Sequence, residues 1–324
     1  MNTRGGLCLW FAVPILTWAG LASAQQYPAK PVRLIVPFAP GGSTDILGRL
    51  IGQRLSEALG QQIIVDNRGG AGTLIGTEIA AKSAPDGYTL LLTNVAFSIL
   101  SGLHGKRMPY DSHRDFAAVT LIASQPTVLA AHPSLPVRTV QELIRLARQK
   151  PGQLSFATSG VGGIGHIAGE MFSLMAGVNL IHVPYKGGGP AVVDLIAGQV
   201  ELGFVGMPTA MAQAKAGKLR FIAVTDGKRA AVEPNLPTVG ESGVKGYQAE
   251  NWIGMLAPAA TAPKIIAQVH DEVIKILQRP EIKERLEALG FDVLGLSPAE
   301  FTTLLERDMK AFARVIQDAK IKVN

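Results

Sequence analysis

The sequence predicts an α/β protein of two domains, each a mostly parallel sheet flanked by helices. Three observations carry that expectation. From Arg33 onward, short apolar runs of strand length alternate with stretches of helical periodicity, the pattern of a sheet covered on both faces. Several junctions are glycine turns that lead from a strand into a helix. Finally, the 324 residues, even after loss of a leader, exceed what one hydrophobic core usually serves. Apolar residues make up 47% of the chain and charged ones 17%, which excludes a disordered chain.

The chain opens on a leader rather than on the fold. Arg4 supplies a positive start, Leu7 to Leu21 is apolar, and Ala22-Ser23-Ala24 fits a small-x-small cleavage site. Cleavage after Ala24 leaves Gln25 first and points to export to a periplasm. The run is short for a span and contains Pro14. Cys8, the one cysteine, leaves with the leader, so the mature chain has no disulfide and no thiol nucleophile. The formal charge of +6 is diffuse, without Lys/Arg runs or interleaved aromatics. That argues against nucleic acid and suits small anions.

Leu34 to Val36 reads as a strand buried on both faces. Pro37 to Gly42 breaks it, and Ser43 or Thr44 caps the next helix, whose apolar stripe is Ile46, Leu47, Leu50, Ile51 and Leu55. Ile63 to Val65 is a strand, Asn67 to Gly72 a loop, and Thr73 to Ser83 a helix. Pro85-Asp86-Gly87 is a turn. Tyr88 to Thr93 is a strand, and Asn94 to Leu103 contains a helix. Two extended segments, Ala118 to Ala123 and Thr127 to Ala131, follow without a helix between them, so the second crosses into another domain. Thr139 with Glu142 forms a capping box for a helix to Lys150. Strands at 154–158, 180–183, 200–205 and 219–225 alternate with helices at 163–176, 189–197 and 208–216. Asp226 to Gly246 is a loop, and Tyr247 to Ala257 crosses back. Helices at 263–278, 281–289 and 297–319, the last capped by Ser297 with Glu300, cover the first domain. The expected division is a leader at 1–24, a first domain of 25–124 with 250–324, and a second of 125–249.

Three strand-to-helix glycine turns carry the chemistry. In Val36 to Asp45, free N–H groups meet the positive end of a helix dipole, a ready anion site. Ser159-Gly-Val-Gly-Gly-Ile-Gly-His166 satisfies GxGxxG. A dinucleotide site would also need an acid at the end of the next strand, and His182-Val-Pro-Tyr-Lys186 has none. What remains is a set of bare N–H donors with the hydroxyls of Thr158 and Ser159. Tyr185-Lys186-Gly-Gly-Gly-Pro190 repeats the logic, with Lys186 either a ligand charge or a solvated lysine. His166 either donates to a ligand or packs. Asn94 ends a strand where open sheets place ligands, whereas Arg68 supports its loop and Asp45 complements the helix dipole. No GxSxG elbow surrounds Ser43 or Ser159, and no His/Glu cluster has metal-ligand spacing. The expectation is therefore no catalytic residue, no metal and no cofactor. A negative side chain at Gly160 or Gly162 is expected to abolish binding.

An ordered series of motifs runs through the mature chain: Tyr27-Pro28 with Lys30-Pro31, Val36-Pro37-Phe38 with Gly41-Gly42 and Asp45, and Pro85-Asp86-Gly87-Tyr88-Thr89-Leu90. Pro151-Gly152, the Ser159 to His166 turn, His182-Val-Pro-Tyr-Lys-Gly187, Ala223-Val224-Thr225, Pro237-Thr238-Val239 and Leu256-Ala257-Pro258 complete it. In these the chain resembles the Bug (TctC-like) periplasmic solute-binding proteins of tripartite tricarboxylate transporters. The resemblance implies a type II periplasmic-binding-protein (Venus flytrap) fold and a monomer, not an enzyme, that hands a small carboxylate to membrane permease subunits. A ligand sensor for a membrane histidine kinase is the alternative, and a secreted hydrolase a remote one. The implied holding turns are Phe38, Ala39, Gly41, Gly42, Ser43 and Thr44, often through bridging waters, and Thr158, Ser159, Gly160, Val161, Gly162 and Gly163. His166, Tyr185, Lys186 and Asn94 complete the candidates. Many members place an acid and Asn where this chain has Gly206-Met207. Lack of that acid disfavours an amino acid and favours a di- or tricarboxylate or an aromatic acid, with Met207 as an adaptable apolar wall.

Overall fold

In chain order the computed structural model, which describes residues 27–318, contains β1 (Val32–Val36), α1 (Ser43–Leu59), β2 (Ile63–Asn67), α2 (Leu74–Ala81), β3 (Thr89–Asn94) and α3 (Ala96–His104). There follow β4 (Phe116–Gln125), β5 (Thr127–Ala131), α4 (Val140–Gln149), β6 (Ser155–Thr158), α5 (Ile164–Ala176), β7 (Ile181–Pro184), α6 (Gly188–Ile196) and β8 (Leu202–Gly206). The chain continues with α7 (Met207–Lys215), β9 (Arg220–Val224), β10 (Asn251–Pro258), α8 (Pro263–Leu277), α9 (Pro280–Ala288), β11 (Asp292–Leu296) and α10 (Pro298–Asp318). A 3-10 turn, Ala71–Thr73, precedes α2. The expected leader and its cleavage site lie outside the described residues.

The strands form two sheets, ordered β11-β4-β10-β3-β1-β2 and β7-β6-β8-β5-β9. β1 sits between parallel neighbours, so Leu34, Ile35 and Val36 are all fully buried and its sequence is an apolar run rather than an alternation. Both sheets are mixed. β10 runs antiparallel to β3 and β4, β11 to β4, and β5 to β8 and β9. The cause is the crossing. Pro126 alone separates β4 from β5. A strand that enters the second sheet at the cleft must run away from it, against neighbours whose C-terminal ends point toward it. β10 does the same on the return. Consequently the loops after β1, β6 and β8 all open on one cleft.

α10 packs on α3 and β4, and α8 on β4 and α1, which covers the first sheet. One continuous core joins Leu100 and Leu103 of α3 to Ile164 of α5 and to Phe156 and Phe204 of the second sheet. The strand β11 has no counterpart in the expected pattern. It is a half-buried edge strand and lacks the apolar run that marks β1. The expected Ser43 or Thr44 cap is also corrected. α1 begins at Ser43, its N-cap is Gly42, and no side chain caps it.

Candidate functional site

The first turn is braced from within. Gly41, at φ +84, is held by a hydrogen bond from its N–H to Asp45 Oδ2 at 2.9 Å. Arg49 Nε donates to the same oxygen at 3.0 Å, and Asn67 Nδ2 donates to Asp45 Oδ1 at 2.9 Å. Burial pushes the Asp45 carboxyl up, but the donors Arg49, Gly41 and Asn67 outweigh it and hold the group below its ordinary value. Asp45 is thus an ionised brace for the turn. Ser43 Oγ lies 2.8 Å from Thr209 Oγ1 in α7, so the hydroxyl expected to cap its own helix bonds across the cleft instead. Ala39 N donates to Lys186 O at 2.8 Å, a second link between the sheets.

The second turn is braced from behind. Gly162 N donates to His166 Nδ1 at 3.2 Å, and Gly160 N to Thr158 Oγ1 at 3.2 Å. His182 Nε2 lies 2.7 Å from Thr158 Oγ1, and the His166 and His182 rings stack with centroids 4.2 Å apart. Burial lowers His166 to about 4. Burial, then the charge of neighbouring His166, lowers His182 to about 3. Both imidazoles are therefore neutral near pH 7. His166 is only 6% exposed and faces the turn rather than the cleft. At Gly165 any Cβ would run into the Phe204 carbonyl, which lets α5 start tight against β8.

Other expected site residues are turned elsewhere. Asn94 is buried in β3, and its Oδ1 accepts from Ala96 N at 2.9 Å at the start of α3. Tyr185 OH donates to Asp194 at 2.7 Å, although the residue lines the cleft next to Lys186. Met207 is fully buried in the apolar cluster with Val128 and Ala210, and its thioether faces Gly290, so it forms no wall of the cleft. Lys186 is exposed at the rim.

What meets at the cleft is a ring of helix starts. α1, α5, α6 and α7 have N-caps Gly42, Gly163, Gly187 and Gly206, and none receives a side-chain cap. By contrast α4 has a complete Thr139–Glu142 capping box, and Ser297 and Glu300 cap α10 in the same way. The first-turn N–H groups of a helix need acceptors. α8 and α9, away from the cleft, also lack a side-chain cap but carry Pro in the first turn. What sets the four cleft helices apart is that their uncapped starts all converge on one place.

These starts enclose a small cavity of about 30 Å³, touched by Gly42, Ser43 and Thr44 of α1, Ile164 and Gly165 of α5, Gly188 of α6, and Gly206 and Thr209 of α7. Phe38 and Ser159 complete its rim. Its remaining wall comes from residues the sequence reading missed: Gln125, Thr127 and Asn251. All three are at least nine-tenths buried, and Gln125 Oε1, Thr127 Oγ1 and Asn251 Oδ1 have no hydrogen-bond partner. Asn251 pairs with Gln125 across β10 and β4, so both crossings contribute polar atoms at one level. Their only sequence signal was position, flanking Pro126 and opening the return strand. Among the described residues, neither Ser43 nor Ser159 hydrogen-bonds a histidine, and no group of three potential metal ligands exists.

Residues 47–321 match the family described as the tripartite tricarboxylate transporter family receptor. BugT of Bordetella pertussis is 36% identical over 309 residues, 94% of this chain and 95% of its own length. An R. palustris protein solved with adipate superposes with a TM-score of 0.88 at 36% identity, covering 91% of this chain and 99% of that one. MatC from Rhodopseudomonas palustris with bound malate gives 0.85 at 28% identity, covering 90% and 100%.

Proposed function

Because the chain belongs to the tripartite tricarboxylate transporter receptor family, whose members are binding proteins rather than enzymes, we propose that it captures a small carboxylate between its two sheets. In this reading it works in the periplasm and delivers the ligand to the permease subunits of a tripartite transporter. The observation that carries the proposal is the ring of four uncapped helix starts around one polar cavity. Bare N–H groups at aligned dipole ends favour an anion, and no buried lysine or arginine is needed to neutralise it. The relatives solved with adipate and malate lend support, since both ligands are carboxylates.

The carboxylate head is assigned to the starts of α1 and α5, at Gly42 to Thr44 and at Ser159, Ile164 and Gly165, because the N–H groups of Gly160, Gly162 and Gly163 are already taken by Thr158, His166 and the Gly160 carbonyl. Gln125, Thr127, Thr209 and Asn251 supply side-chain partners. Residues 25–124 with 250–324 and residues 125–249 are the two bodies that close on it, a division supported by sheet membership. A cavity of about 30 Å³ holds about one water molecule. A dicarboxylate enters only when the bodies part, as a hinged clamp requires.

Calorimetric titration with succinate, malate, citrate and adipate tests the reading, alongside the near-isosteric Thr127→Val. Wild type should bind at least one acid. The variant should lose about tenfold in affinity, the value of one hydrogen bond to a charged group. Absence of binding across the panel would refute the proposal.

A further inference from the structure

A second cavity of about 310 Å³ adjoins the first and shares Phe38 and Ser159 with it. Its walls are largely apolar, with Pro37, Leu74, Val161 and Pro184 among them. Lys186 and His104 also line it. Among the described residues Lys186 forms no ion pair. On the first-sheet side the wall is the Ala71–Thr73 turn. Ala71 at φ +48 and Thr73 at φ +104 are the only residues other than glycine with positive φ among those described. A β-branched residue there is strained, and such strain gathers at ligand clamps. Thr73 is 2% exposed, and its Oγ1 has no partner.

Resting on the carboxylate reading above, we propose that this compartment receives the body of the ligand, and that the protein therefore selects a linear or aromatic dicarboxylate longer than succinate. One carboxylate sits at the bare helix starts. The apolar body passes Phe38 and lies against Leu74, Val161 and Pro184. The distal carboxylate reaches Lys186 at the rim and accepts a hydrogen bond from the Thr73 hydroxyl. A four-carbon acid held at the helix starts is too short to cover this apolar wall.

Titration of the full mature protein with succinate, suberate and terephthalate reads the selection. Suberate or terephthalate should bind at least about tenfold more tightly than succinate, since each methylene buried on an apolar wall is worth about fourfold. Leu74→Trp, which fills the compartment, should lower the ratio of suberate to succinate affinity about tenfold. Leu74→Ala, which widens it, checks that the variants fold and should keep the long acid ahead. Succinate binding as tightly as the longer acids, or a ratio that Leu74→Trp leaves untouched, would overturn the compartment alone. No binding by any acid, short or long, would overturn the carboxylate reading and this inference together.

Discussion

At the residue scale, His166 marks where sequence reading stops. Its place in the first turn of a helix at a glycine turn was legible, and from that position it could equally face a ligand or the protein. The orientation is set by His182 on β7, whose ring stacks on it, and by Gly162 N–H, which needs the Nδ1 lone pair. Neither contact is local enough to read from spacing. The pair carries a pH prediction. Both imidazoles are held below their ordinary pKa, to about 4 and about 3. The unfolded chain therefore binds more protons than the folded one below pH ~6.5. The stability that this pair contributes is fully present above pH ~6.5 and is lost as pH falls toward the folded values. The loss should be on the order of 2 kcal/mol, because protonation puts a charge on an imidazole that burial keeps from water. Thermal unfolding from pH 7.5 to pH 4 should show it, and His166→Gln, which does not titrate, should flatten the curve. Identical curves for the two proteins would remove His166 as the cause.

At the element scale, what was legible was local. The Thr139–Glu142 and Ser297–Glu300 boxes lie within four residues of chain, and both form as read. Ser43 does not cap as the same rule expects, because its partner, Thr209, lies 166 residues away in α7. β11 was missed because half-buried Asp292–Leu296 has neither an apolar run nor an alternation. The uncapped start of α5 lets stability be separated from function. Gly163 has φ −76 and ψ 163, which any residue adopts, and its nearest obstacle is the movable Ser159 Oγ at 3.2 Å from an added Cβ. Gly163→Asp should therefore fold, with α5 gaining a cap and a favourable charge worth about 0.5–1 kcal/mol. The same carboxylate occupies the N–H groups assigned to the ligand, so affinity should fall by at least about tenfold. Unfolding and titration of one variant check both signs. Gly160 and Gly162, the positions favoured by sequence alone, are poorer tests. Gly162 has φ +74 with Leu100 Cδ2 2.5 Å from its added Cβ, and Gly160 has φ +140, so an aspartate there strains the fold as well as the site.

At the scale of the whole molecule, two helix-flanked sheets follow from the alternation of elements, whereas the antiparallel strands and the site follow from the crossings. Gln125, Thr127 and Asn251 meet because β4, β5 and β10 pass between the sheets at one level, and no pattern along the chain brings position 125 to position 251. The crossings are tied by Thr225 N to Thr127 O at 2.8 Å and Ala249 N to Thr225 O at 2.8 Å, so the opening required by the proposed clamp should occur at the opposite edge. Across the opening, Ser43 Oγ and Thr209 Oγ1 stand 2.8 Å apart, so two sulfurs at these positions need only a small adjustment to bond. Residues 25–324 contain no cysteine, so in protein prepared from Gln25 the pair Ser43→Cys and Thr209→Cys should oxidise to a disulfide that clamps α1 to α7. If ligand reaches the helix starts only when the bodies separate, the oxidised protein should bind added carboxylate at least about a hundredfold more slowly than the reduced protein. Reduction should restore the rate. Loading with ligand before oxidation should trap it, so that dialysis no longer removes it. Stopped-flow binding in both redox states, with mass spectrometry to count the crosslink, decides the matter. Equal rates in a fully crosslinked sample would mean that the ligand enters by another route and that the cavity between α1 and α7 is not its seat.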